Sequence, residues 1–321
     1  MFCPPMKNKL IRNRQTKSNT LIGKFFDQWV WPQRRFNFIR IWRTSHFYGA
    51  PISYKKYLSY VKKEYLEYWV RWHQLQFARF FGHNALLVFH NKLLHIRYFI
   101  GQVKSLEVNR TYIVTLKEDP PSLKAAKQCR QSLRQWGREA EYFYGVNASR
   151  AEAVLSQHGI SFLGEEQERS VKGRMGCLAS HFLLWLKCIE LDEPILIVEC
   201  DGLARCTIPP LRFKHIVNLS DVSIRREYIL KGTAELIDKK HWRGSVYYAH
   251  TYLPNTMAYA IKPAGARRLV KAARTGLVHL GVDVFIRTVT VNIVEHHPLP
   301  VEQNMDFSSY IDRQADKEAA N

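Results

Sequence analysis

Glu199 and Asp201 stand two residues apart at the end of a short apolar run, Ile195-Leu196-Ile197-Val198, and Gly202 follows them. Side chains of an extended chain alternate sides, so this spacing sends both carboxylates one way and Cys200 the other. Two like charges at the end of a buried strand repel each other and lose hydration, a cost that a divalent cation held between them removes. One reading is therefore a metal site. The other is a solvated strand end, whose acids cap the next helix or pair with Arg205 or Arg212.

Other residues that could do chemistry lie nearby. Cys177 and His181 are four apart and could face one ligand, but no second Cys/His pair stands at zinc spacing, so packing is the favoured role. Ser180 beside His181 suggests a nucleophile with its base. Adjacent helical residues point about 100° apart, however, and no G-x-S-x-G elbow surrounds them, which sets a hydrolase aside. His296-His297 before Pro298 reads as a surface turn, with His297 kept as a candidate that completes a metal shell. Neither a Walker loop nor a G-x-G-x-x-G is present, which argues against a P-loop ATPase and a dinucleotide enzyme.

The elements that must position these groups are legible around them. Leu178, Phe182, Trp185, Leu186 and Ile189 recur at helical spacing, and Leu191-Asp192-Glu193-Pro194 breaks the helix they define. The run Ile195 to Val198 is apolar without alternation and too short for a helix, so it reads as a strand covered on both faces.

Gly176-Cys177, Ser180-His181, Trp185 and the apolar strand ending in Glu199-Cys200-Asp201 resemble the core of glycosyltransferase family 25, the lipopolysaccharide-biosynthesis type. Cys200 stands where that family usually has the middle acid of E-D-D, and the wording KCIELDEPILIVECDG resembles virus-encoded relatives. The resemblance runs from about Asn109 to Asp312. It implies a GT-A-like fold and a hexosyltransferase that uses a nucleotide-sugar donor, a saccharide or glycolipid acceptor and a divalent metal, Mn2+ or Mg2+, with inversion. By the same resemblance Asp201, Glu199 and His297 are the metal candidates. Leu116, Lys117, Ser180 and His181 are the donor-binding candidates, and Asp283, with Glu199, is the candidate for catalysis. On the residues alone, Asp283 before a short helix reads equally well as a helix cap.

Along the chain, Tyr112 to Leu116 reads as a strand, and a helix follows from about Leu123 to Trp136. Ala140 to Gly145 makes a second strand and turn, and Asn147 to Lys172 reads as polar and loop-rich. His215 to Leu219, Thr256 to Ile261 and Thr290 to Val294 are further strands, with a helix between Lys262 and Gly276. Arg225 to Trp242 is expected to be a mobile loop over the site. Alternating strands and helices imply an α/β domain, a mixed sheet with flanking helices and its site at the carboxyl ends of the strands. The expected division is a basic aromatic region at 1–108, mainly helical, a GT-A-like domain at 109–312 and a polar tail at 313–321.

Composition sets the compartment and the partners. With 321 residues and 46% hydrophobic content the chain can pack a sizeable core. Its net charge of +20 implies anionic partners, and about fifteen of those positives fall before Asn109. There, Tyr57, Tyr60, Tyr65, Tyr68, Trp69 and Trp72 recur at helical steps, which suits an anionic membrane surface, nucleic acid, or packing on the rest of the chain. Six cysteines without regular spacing suit a reducing cytoplasm, and neither a signal peptide nor a membrane span is expected. The expectation is a cytoplasmic enzyme, peripheral on the inner membrane face. The alternative of a different class is a non-catalytic nucleic-acid-binding or membrane-docking protein that retains the fold.

Overall fold

Strand β3 (Ile195–Glu199) is apolar at four successive positions because the sheet is covered on both faces. Ile195 and Ile197 face one core cluster, and Leu196 and Val198 face another. The structure, a computed structural model, describes residues 83–162, 171–220, 243–247, 252, 253, 255–275, 278, 281–288, 290–304, 306 and 307. The helices expected between Tyr54 and Phe81, the loop expected from Arg225 to Trp242 and the tail from 313 lie outside these residues.

In chain order the described elements are α1 (His83–Ile100), β1 (Arg110–Thr115), α2 (Pro120–Gln135), β2 (Glu141–Tyr144), α3 (Ala148–Gln157) and α4 (Val171–Leu191). After β3 come β4 (Gly202–Ala204), β5 (Ile216–Asn218), β6 (Gly244–Tyr247), β7 (Ala258–Ile261), α5 (Pro263–Thr275), α6 (Val282–Phe285), β8 (Ile293–His297) and β9 (Val301–Gln303). Seven strands form one mixed sheet in the order β2-β1-β3-β7-β5-β8-β6, and β4 pairs with β9. Strands β2, β1 and β3 are parallel, β7 is antiparallel to both β3 and β5, and β8 runs with β5. The carboxyl ends of β1, β2, β3, β5 and β8 therefore share one edge. Residues of α3, α4, α5 and α6 pack in one cluster, and residues of α1 and α2 in the other. This is the mixed α/β sheet with flanking helices that the sequence implied. No helix among the described residues is long and apolar enough to cross a membrane.

Two segments differ from expectation. The stretch read as loop-rich contains α3, because Asn147 caps Arg150 N through its side chain at 3.1 Å and Ala151 and Leu155 supply a buried face. Glu295-His296-His297, expected beyond the last strand, belong to β8. Strands β5 and β6 pair on either side of β8 and satisfy its backbone, so a polar triplet stays extended and mostly buried.

Helix α4 carries Gly173 and Gly176 in its interior, at a conformational cost of about 1 kcal/mol each relative to Ala. Close approach offsets this at Gly176, where a Cβ would lie 2.6 Å from the Val146 carbonyl oxygen. The helix ends at Asp192, whose φ of 48° is left-handed, and Arg267 pairs with its carboxylate at 2.9 Å.

Candidate active site

The site is built where β1, β3 and the first half of α4 meet. One cleft is lined by Val114, Thr115 and Leu116 at the end of β1, Ser122 of α2, and Val146 and Ala148 after β2. Gly173, Cys177, Ser180 and His181 of α4, Glu199, Cys200 and Asp201 at the end of β3, and Phe307 complete the lining.

The spacing Gly-x-x-x-Ser-His has a physical explanation here. Gly176 lets α4 touch the loop after β2, and the Ser180 hydroxyl then donates to the Gly176 carbonyl at 2.7 Å and accepts from Val146 N at 2.8 Å. Gly145 is small for the same reason, since a Cβ there would lie 2.7 Å from Ser180 Oγ. Ser180 lines the cleft, but its hydroxyl clamps backbone. The neighbouring His181 is fully buried and belongs to a chain of polar groups.

That chain begins at Trp185, whose indole N–H donates to the Tyr259 hydroxyl at 2.9 Å, and the same hydroxyl meets His181 Nδ1 at 2.9 Å. An indole can only donate, so Tyr259 accepts there and has its own proton to give. His181 Nδ1 either receives it or gives its own hydrogen to the hydroxyl's second lone pair, according to the ring's tautomer. His181 Nε2 lies 3.3 Å from Glu199 Oε1 without hydrogen-bond geometry. Thr256 donates its hydroxyl hydrogen to the same oxygen. Burial, opposed in part by the Trp185 hydrogen bond, pushes the Tyr259 phenol well above its ordinary value, so it keeps its proton.

Cys177, His181 and Glu199 bring ligand atoms within 4.8 Å of one another, a group not assembled by spacing arguments alone. It is poorly suited to a metal. Burial, followed by the charges of Glu199, Asp283 and Asp201, pushes the Cys177 thiol well above its ordinary value, which disfavours the thiolate a metal needs. Glu199 and Asp201, which also line the cleft, offer carboxylate oxygens, the hard donors that Mg2+ or Mn2+ prefers.

Strand β3 stops at Glu199, and Cys200 and Asp201 form a turn, so strict alternation does not extend through the motif. Cys200 also lines the cleft, where its sulfur accepts from Ser122 Oγ at 3.4 Å. Asp201 is mostly buried. Its carboxylate accepts from Gln303 Nε2 at 3.4 Å, and its carbonyl accepts from Asn304 N at 2.7 Å. Gln303, the last residue of β9, and Asn304, which follows it, had no signal in the sequence.

The remaining candidates lie at different distances from this cleft. Leu116 lines it, and its N–H donates to Ser122 Oγ at 3.2 Å. Lys117 is exposed, with its ammonium 6.0 Å from the Tyr144 ring centre. Asp119, in the same loop, caps α2 by accepting from Ser122 N at 3.0 Å. His297 is on the same sheet edge but three strands from β3, about 14 Å away at ordinary strand spacing, and its Nε2 donates to Glu295 Oε1 at 2.6 Å. It is not brought to Glu199. Asp283 is the second residue of α6 rather than its cap, which is Gly281, and its carboxylate accepts from Val284 N at 2.9 Å. Its charge acts on Arg174 and Cys177, both on α4, which puts it on that flank of the site.

Residues 108–204 match the model of glycosyltransferase family 25, described as an LPS biosynthesis protein. The match takes in β1, α4 and the Glu199-Cys200-Asp201 motif, and it marks the chain as a glycosyltransferase. No curated protein matches the chain. Among solved structures it is similar to mouse xyloside xylosyltransferase 1 in its apo form, at 10% identity and a TM-score of 0.27, over 57% of this chain and 81% of that one.

Proposed function

We propose that the protein transfers a hexose from a nucleotide-sugar donor to a saccharide or lipid-linked acceptor, with inversion, at the cleft between β1, β3 and α4. The observation that carries this reading is the pair Glu199 and Asp201 at the carboxyl end of β3, inside the segment that matches family 25. A donor diphosphate is anionic, and among the described residues that line the cleft none is Lys or Arg. Asp119 already occupies the amino end of α2, a place where phosphate is often held. Bound divalent metal would supply the missing positive charge and help the nucleotide diphosphate leave.

The chain's own residues then have separate tasks. Asp201, itself held by Gln303, would hold the metal. Glu199, oriented by Thr256 and His181, supports the same charge. Leu116 and Ser180 shape the donor's floor. Asp283 takes the acceptor hydroxyl's proton on the face away from the leaving group, which inversion requires. The free cysteines, Cys129, Cys177, Cys188, Cys200 and Cys206 among the described residues, suit a cytoplasmic location.

Purified protein offered a panel of nucleotide sugars with Mn2+ or Mg2+ should release nucleotide diphosphate from one of them in the presence of acceptor, and chelator should stop it. Tight donor binding without release from any member would instead favour a non-catalytic protein that keeps the fold.

A further inference from the structure

Helix α1 is apolar on two opposite sides. Asn91, Leu94 and Tyr98 are buried against the domain, where the Tyr98 hydroxyl donates to Asn292 Oδ1 at 3.3 Å and the Arg212 guanidinium lies 5.6 Å from its ring centre. At about 100° per residue, Phe89, Leu93, Ile96 and Ile100 fall on the far side, with Phe99 at its margin. All five are exposed, Ile96 by 55%, Ile100 by 74% and Phe99 by 81%. One stripe suffices to dock a helix on a sheet, so a second stripe of large apolar side chains marks an interaction surface.

Charge indicates the partner. The helix contains no Asp or Glu, and exposed Lys92 and Arg97 lie among and beside the stripe. We infer that this side of α1 docks the protein on an anionic lipid surface, with the stripe at the headgroup–acyl boundary and Lys92 and Arg97 against phosphates. A second copy would bring these cations against their own kind. The 82 residues that precede the helix are themselves strongly basic and would do the same. Nucleic acid would satisfy the cations but leave the aliphatic Leu93, Ile96 and Ile100 without an apolar surface to cover them. The inference does not depend on the glycosyltransferase reading.

The full chain should co-sediment at physiological salt with vesicles of phosphatidylcholine containing phosphatidylglycerol, and weakly with phosphatidylcholine alone. The Ile96→Glu/Phe99→Glu double variant, altered only at exposed positions and checked by its melting temperature, should bind at least tenfold more weakly. Unchanged binding by that variant overturns the inference, because other basic residues would then account for it. Self-association of the wild type that the variant abolishes also overturns it, as does retention of single-stranded RNA without vesicle binding.

Discussion

Strands β3 and β8 are built alike and end differently. Both are apolar runs that reach a glutamate at the same edge of the sheet, and both glutamates have a histidine beside them. Glu295 is closed in, with 5% of its side chain exposed, and it bonds His297 at 2.6 Å and Asn218 at 3.4 Å. Glu199 keeps 29% of its side chain exposed to the cleft, and its histidine comes from another element, fixed from behind by Tyr259 and Trp185. A carboxylate whose partners lie in its own strand and the one beside it is sealed within the sheet. One held from a distant helix is oriented on one side and left open on the other. On the proposed function, the difference separates a structural acid from a working one.

The largest effect expected is at Asp201. Asp201→Asn should lower nucleotide diphosphate release by at least about a hundredfold while the melting temperature changes little, since it removes charge stabilisation worth several kcal/mol in the transition state. Normal turnover in this variant would move the site away from β3.

Asp283→Asn comes next. If it takes the acceptor's proton, the variant loses turnover by about 10²–10⁴-fold and the acid-side limb of its pH–rate profile flattens, while donor affinity is kept. A variant with full turnover and a small drop in stability would leave Asp283 a helical residue of α6 only.

Tyr259→Phe tests how Glu199 is oriented. It leaves the Trp185 N–H and His181 Nδ1 without their shared partner, which should cost about 1–3 kcal/mol of stability. Turnover should fall by about tenfold with the donor KM little changed, and Trp185→Phe should act in the same direction but less. Loss of stability without any change in turnover would reduce this chain of groups to core packing.

The smallest effect concerns β8 and its neighbour. Burial, with the positive charge of His297 second, pushes His296 down to about 4, and burial with nearby basic residues, Arg268 first, pushes His215 down to about 4. Both groups are neutral in the folded protein over a range where the unfolded chain takes up protons. Stability should therefore fall as pH drops from about 6.5 toward 4. Denaturation midpoints measured across that range should show the decline, and His296→Gln should make it shallower.

How much of this was legible beforehand follows from how local each signal is. Helix α4, the four-residue apolar run of β3 and the break at Asp192 depend on neighbours in sequence, and they appear where the spacing put them. The strand expected from Tyr112, the helix expected from about Leu123 and the strand expected from Thr256 were visible for the same reason, and they begin at Arg110, Pro120 and Ala258. The partnership of Cys177 and His181 with Glu199 was not legible, because it depends on how α4 crosses β3. Tyr259 and Gln303 were likewise hidden, since their importance lies wholly in contacts 78 and 102 residues away along the chain. His297 was kept as a metal candidate on resemblance, but sheet order sets it three strands from β3.

The most direct test exchanges the two glutamates' charges one at a time. Glu199→Gln and Glu295→Gln are isosteric, and turnover and melting temperature can be measured on both with the same donor. Glu199→Gln should lose at least about a hundredfold in kcat at nearly unchanged melting temperature. Glu295→Gln should keep its turnover and lose about 1–3 kcal/mol of stability, as expected when a buried hydrogen-bonded charge is removed. The reverse pattern, with catalysis lost at Glu295 and only stability lost at Glu199, would contradict the account.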